Sequence, residues 1–274
     1  MPPVRSPWTL IVTAVAVTLA LSPGATPAAA ASTTTASLAV ASRTTTPTDE
    51  SHEVWTAVPG PNKTVTYTVY QPAPGVTAAQ LHRTLAAIGT VGLSNPAADT
   101  HLRDPFSCYL ETAYALDNGR CPPIRWTWSG YDDPQVYFRD HTPNGWPVRE
   151  AVASWNKAIG VDSYWTISSC PGGSRHCVDV WADDYGPTGW SGSTTYTITF
   201  GRNFVDGSVR SKLNDWYATS TADRRTSACH EIGHALGVGH NMSRSSCMYG
   251  TDSSNDPQQP HRSDFDLLRR VIYP

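Results

Sequence analysis

Apolar and polar positions follow distinct registers along this chain, and each register predicts an element. Residues 8–21 form a continuous apolar run, and 31–51 are its opposite, Ser/Thr/Ala-rich with Thr runs at 33–35 and 44–46. A segment of that second kind buries too little apolar surface to fold and reads as a disordered linker. Over 64–70, Val65, Tyr67 and Val69 alternate with Thr66, Thr68 and Tyr70, the period of a strand, until Pro72, Pro74 and Gly75 break it. Thr77 then caps a helix, with Gln80 in capping-box position and Leu81, Leu85 and Ile88 as its apolar stripe. This β–α piece, ending near Asn95-Pro96, is too small to stand alone. It reads as a propeptide or as an extension packed on the larger downstream domain.

Farther on, 124–128 reads as a first strand and Val136-Tyr137-Phe138 as a second. Trp146-Pro147 opens a helix to about Ile159, on which Val148, Val152, Trp155 and Ile159 recur at helical spacing before Gly160 ends it. Strands are expected at 164–167 and 178–181, and 196–200 is the last clear one. Between them, 183–193 is rich in Gly and Asp: an ordinary solvated loop, or a site for a calcium ion. Thr221 can cap a long helix over 222–236, with Gly237 past its end. Ser263 can cap a closing helix that turns Leu267, Leu268 and Val271 inward.

Composition adds compartment and excludes some partners. The 274 residues, 39% hydrophobic and 16% charged, suffice for one good-sized domain with accessories. A net charge of −3 gives no reason to expect nucleic acid or an anionic membrane as partner. Arg5, the apolar run and Ala28-Ala29-Ala30 together read as a secretory signal peptide over 1–30 with an A-x-A-type cleavage site. The run is short for a membrane span, so an uncleaved anchor is the weaker reading and an extracellular, secreted protein the expectation. The 6 cysteines agree with an oxidising destination. They admit many pairings, among which spacing suggests Cys108–Cys121, Cys170–Cys177 and Cys229–Cys247. A cysteine-rich zinc site is the competing reading, but no CxxC pair occurs.

The chemistry concentrates in one stretch. On a helix His230 and His234 lie about one turn apart, so both imidazoles project from one face and can share a zinc ion. Glu231 lies round the helix from them, near the metal but poorly placed as a ligand, where it can take a proton from a water held there. Gly237 tolerates the positive φ of a helix end, and the turn it permits can bring His240 to the metal from another direction. Three protein ligands leave a fourth position open, the mark of a catalytic site.

The pattern His230-Glu231-x-x-His234-x-x-Gly237-x-x-His240, with Ser246-Cys247-Met248-Tyr249-Gly250 after it, resembles the zinc motif and Met-turn of the metzincin clan of zinc endopeptidases. The likeness is closest to the matrixin type, through the Met-Tyr pair and the short final helix. It covers roughly residues 124–274, by motif from Thr221 onward and by order of elements before that. It implies an α+β fold: a twisted mixed sheet backed by helices, an active-site helix, the Met-turn and a C-terminal helix. The expected domains are thus a signal peptide (1–30), a linker and propeptide region (31–100) and a zinc peptidase domain (101–274). The resemblance further implies one catalytic zinc on His230, His234 and His240, Glu231 as general base, and Met248 supporting the ligands from below. A monomer is expected, taking a protein or peptide substrate extended along an edge strand. A Met-turn beneath the zinc would also bring Cys229 and Cys247 together, holding His240 against the helix.

Some features depart from the family or leave alternatives. Only His141 and His176 lie between Ile124 and Cys229, too few for the second, structural zinc that matrixins usually carry. Tyr249 comes one residue after the Met, where astacin-like relatives have a ligating Tyr two residues after it, so it is not counted as a ligand. Gly119-Arg120-Cys121-Pro122-Pro123 faintly resembles the cysteine motif by which matrixin pro-segments block the zinc, yet Cys121 reads as a disulfide partner. Asp252 and His261 are fallback third ligands. The competing functions are a secreted binding protein with a vestigial site, its 10 Trp and 12 Tyr lining a surface, and a zinc hydrolase acting on a non-peptide substrate.

Overall fold

The computed structural model describes residues 54–94, 108–117, 121–128, 130–199, 201–250 and 257–274. The expected signal peptide, its cleavage site, the Ser/Thr-rich linker, Asn95-Pro96 and Asp252 lie outside these residues. Strands β1 (Val54–Pro59) and β2 (Val65–Pro72) pair antiparallel. Helix α1 (Ala78–Ala87) opens on the expected capping box between Thr77 and Gln80. Leu81 and Leu85 are buried, whereas Ile88 is 72% exposed, so the apolar stripe is one position shorter than its spacing predicts.

Two short strands come next, β3 (Tyr109–Leu110) and β4 (Ala113–Ala115). The strand expected at 124–128 is not one. Ile124 donates to Leu116 O, Arg125 N to Arg202 O, and Arg125 O accepts from Phe204 N, so the backbone is shared among partners rather than laddered to one. Its alternation is real because Ile124 and Trp126 are both fully buried. Strand β5 (Gln135–Asp140) precedes helix α2 (Val148–Trp155), which ends before the expected Ile159. Asn156 closes it and accepts from Ser163 N, and Ile159 stands 62% exposed, outside the core.

Strands β6 (Asp162–Thr166), β7 (His176–Asp183) and β8 (Trp190–Thr199) lie beyond α2. β8 begins well inside the stretch that read as a loop, because Trp190 and residues 191–193 are buried. Nor is it the last strand, since β9 (Asn203–Phe204), β10 (Arg210–Asn214) and β11 (Val238–Asn241) come after it. Helix α3 (Thr221–Ala235) lies between β10 and β11 and is capped by Ser220, one residue before the expected Thr221, in a capping box with Asp223. Helix α4 (Arg262–Leu267) is capped by His261 rather than Ser263 and runs into a π-helical turn at Leu268–Ile272.

The main sheet has the order β1-β2-β8-β10-β7-β5-β6, with β9 on β8. β10, β7, β5 and β6 are mutually parallel and β8 runs against them, so the sheet is mixed and the fold α+β, as expected. A second sheet has the order β11-β4-β3. The described part of the 31–100 region joins the downstream fold, because its β1 and β2 extend the same sheet as the downstream strands. One large core, with Trp126, Phe138, Trp155, Ile232, Leu236 and Met248 fully buried, lies where α2 and α3 meet the sheet; a smaller cluster gathers Val54, Leu81 and Leu85 around Trp190. The disulfides are Cys108–Cys121, Cys170–Cys177 and Cys229–Cys247, the three pairs suggested by spacing. Among the described residues, no helix is long and apolar enough to cross a membrane.

Candidate metal centre

Helix α3 is buried from Thr226 to its end, and each neighbour answers one of its backbone needs. The Trp155 indole donates to Cys229 O at 2.8 Å, the Trp126 indole to Ala235 O at 2.9 Å, and the Tyr273 hydroxyl to Leu236 O at 3.0 Å. The last two satisfy carbonyls that a helix end leaves without partners. Gly237 then turns the chain at φ +94°, and a Cβ there would meet Ile124 O at 2.5 Å. That turn starts β11, on which His240 comes back alongside the helix. Gly233 is a second required glycine, since a Cβ on it would run into Met248 Sδ and the Trp155 ring. The Met248 thioether thus lies directly against the helix that carries the histidines.

One ring nitrogen from each of His230, His234 and His240 lies within 4.8 Å of the others. Their protonation follows from their partners. His230 Nδ1 is 2.8 Å from Cys247 O and His234 Nδ1 is 2.9 Å from Val238 O. A carbonyl only accepts, so both Nδ1 atoms carry the proton and both Nε2 atoms present a lone pair. The two Nε2 atoms face each other at 3.0 Å. Burial holds both rings well below the ordinary histidine value, His234 at about 4, with the neighbouring ring adding to the effect at His230. Both rings are therefore neutral at physiological pH. Two converging bare lone pairs repel unless a cation lies between them. Nitrogens at ~2.1 Å from a tetrahedral zinc stand ~3.4 Å apart, so the two rings need part only by about 0.4 Å to hold that ion.

Glu231 lies against the sheet. Thr194 Oγ1 on β8 donates to its Oε2 at 2.6 Å, and Gly192 leaves the room its carboxylate occupies. Its Oε1 is buried and has no hydrogen-bond partner. Burial pushes the carboxyl up to about 8, with the Thr194 hydrogen bond opposing. A cation on the three imidazoles would favour the ionised form.

The matrixin family model matches residues 147–271. Over that stretch the chain is similar to the matrixins. At the level of the family, that likeness points to a zinc metallopeptidase. No curated protein matches the chain. Among solved structures, metalloproteinase-II from Bacteroides fragilis is 13% identical, with 80% of this chain and 76% of that one covered at a TM-score of 0.34.

Not every expected residue sits in this matrixin-like centre. His261 caps α4 and accepts from Ser263 N, away from the three imidazoles. His176 lies between Asp206 and Thr127 O, and His141 bonds Asp179 while stacking on Trp181. Cys121 is disulfide-bonded. The 183–186 turn uses its carboxylates internally, Asp183 accepting from Asp184 N and Asp184 from Gly186 N.

Other contributors carry no motif in the sequence. Thr194 orients Glu231, and its signal is parity, because it shares a strand face with the buried Tyr196 and Ile198. Buried Asp264 accepts from Ser246 Oγ, from Asn241 Nδ2 at 2.7 Å and from His261 N at 2.7 Å. Ser246 in turn accepts from Met248 N, and Asn241 N donates to Met248 O. This network ties α4 to both the Met-turn and the residue after His240. Nothing in the spacing of Asp264 announces that role.

Proposed function

We propose that the protein is a secreted endopeptidase holding one zinc ion on His230, His234 and His240, with Glu231 as general base. The observation that carries this reading is the pair of bare Nε2 atoms 3.0 Å apart beside a third imidazole, on the helix that also presents a buried carboxylate. Bound zinc supplies Lewis-acid polarisation of a carbonyl and a lowered pKa for water.

The chain's own residues supply the rest. Cys247 O and Val238 O hold two imidazoles in the tautomer and orientation that binding requires, which raises their basicity as ligands. The Cys229–Cys247 disulfide anchors the first of those carbonyls to the residue before His230. Thr194 fixes one oxygen of Glu231 and leaves Oε1 to take a proton from the attacking water, then return it to the departing amine nitrogen. Met248 packs under the helix and keeps the floor apolar. An extended peptide, adding as a strand beside the site, is the substrate form that suits a sheet next to the carboxylate. Secretion is supported by the N-terminal apolar run, Ala28-Ala29-Ala30 and the disulfides.

Incubation of the zinc-loaded protein with a mixed peptide library, read by mass spectrometry, tests the reading. Internal cleavage that a chelator stops is expected. Zinc bound at one equivalent with no peptide cut would overturn it in favour of a binding protein or a hydrolase of other bonds.

A further inference from the structure

The geometry points to Ser211 on β10 as a positioning residue for the general base, acting through Thr194 by a chain of hydroxyls from Ser211 Oγ to Thr194 Oγ1 to Glu231 Oε2. This inference rests on the peptidase reading and deepens it at the same site. On the core side of β10, Ser211 follows Val209 and precedes Leu213, and its partner on β7 is Val180; all three are buried in the main core. On the other side its partner on β8 is Thr194, which shares a face with the buried Tyr196 and Ile198. Both hydroxyls are 0% exposed. Two hydroxyls set among apolar side chains cost stability unless they are bonded. They stand together where Glu231 meets the sheet.

The distances fix which way the protons run. Thr194 Oγ1 has three oxygens in reach: Glu231 Oε2 at 2.6 Å, Glu231 O at 3.0 Å and Ser211 Oγ at 3.0 Å. It has one proton to give. With the carboxylate ionised, as a general base must be, the charged oxygen at the shortest distance takes that proton. Thr194 Oγ1 is then free to accept, and the Ser211 hydroxyl donates to it. The alternative acceptor for Ser211 is Glu231 O, farther off at 3.4 Å.

Ser211 matters because Thr194 has a choice. Its hydroxyl can turn to the carbonyl of Glu231 as well as to the carboxylate, and the carbonyl serves only the helix. Among the described residues, Thr194 is the one donor to this carboxylate. A hydrogen bond arriving at Thr194 Oγ1 polarises its O–H and strengthens the bond it makes in turn. Donation from Ser211 therefore keeps the Thr194 proton on Oε2 and leaves Oε1 as the oxygen that receives the proton of the attacking water. With both hydroxyls buried, no solvent stands ready to replace either one.

A double-mutant cycle on the zinc-loaded protein tests this, with Ser211→Ala, Thr194→Val and the two combined. Zinc per chain and circular dichroism establish that each form is folded and loaded. Ser211→Ala should lower kcat by about threefold to tenfold with KM nearly unchanged, the range that one net hydrogen bond supports. Thr194→Val should lower kcat at least as much. Adding Ser211→Ala to Thr194→Val should then cost nothing further, because the chain is already cut. Thr194→Ser keeps the hydroxyl and should recover most of what Thr194→Val loses. An unchanged kcat in Ser211→Ala, or a loss that simply multiplies with that of Thr194→Val, would overturn the role. Ser211 would then be an ordinary cross-strand partner, and the peptidase reading would stand. Zinc-loaded forms that all fail to cleave, parent included, would overturn the peptidase reading and this role with it.

Discussion

His230 and His234 have their other nitrogen on a backbone carbonyl, so their ring positions do not depend on Glu231, and removing a ligand and removing the base should have separable effects. His240 reaches the cluster from β11, after the Gly237 turn, and is the imidazole of the three that the helix does not itself position. His240→Ala should therefore lower zinc content and activity together, by metal analysis of the purified protein. One tightly held zinc in that variant would place the third ligand elsewhere. Glu231 gives a second residue-scale test. Its carboxyl lies at about 8 in the metal-free fold against an ordinary 4.5, so between those values the folded state keeps a proton that the unfolded state has lost. Stability of the chelated protein must then fall as pH rises through that window. His230 and His234 are depressed and act below 6.5, where acid destabilises the fold, so the comparison belongs between pH 6.5 and pH 8. The chelated protein should melt lower at pH 8, and Glu231→Gln should reduce the difference. An unchanged pH dependence in that variant would contradict the burial argument.

Elements were legible where local signals agree with tertiary packing. Helix α3 has a cap, a stop and a motif on one face, and α1 has its capping box, so both emerge from sequence. Residues 124–128 alternate like a strand because Ile124 and Trp126 face the core, but nearby partners divide their backbone among several segments. β10 is hidden because Ser211 and Asn214, though buried, are polar. β8 starts early because tertiary contacts bury Trp190 beyond what a Gly/Asp-rich stretch suggests. Caps slipped by a residue or two, since Ser220 and Thr221, or His261 and Ser263, offer equivalent acceptors. The clustering of the three imidazoles needed only spacing, whereas Thr194 and Asp264 matter through contacts that spacing does not carry. Two predictions belong here. Gly233→Ala should cost about 1–3 kcal/mol by forcing Met248 or Trp155 aside, measured by denaturant unfolding. A loss within a few tenths would mean the helix and Met-turn are not in close contact. Replacing Cys229 and Cys247 by Ser opens a loop with a sequence separation of 18, and should cost roughly 3 kcal/mol and weaken zinc retention.

At the scale of the whole molecule, one sheet carries β8, whose Thr194 bonds Glu231, and the β1–β2 hairpin that pairs with it. N-terminal sequencing of protein from culture medium should find the mature form starting beyond β2. An active form that begins near Ala31 would place the hairpin in the working enzyme. Everything proposed for the site depends on three imidazoles holding one zinc while Glu231 moves the proton. The sharpest test is a paired measurement on the protein and its Glu231→Gln variant: zinc per chain, and cleavage of a peptide pool. One zinc should be found in each, with nearly all turnover lost in the variant. Turnover within a few-fold of the parent, at equal zinc, would contradict the role given to Glu231.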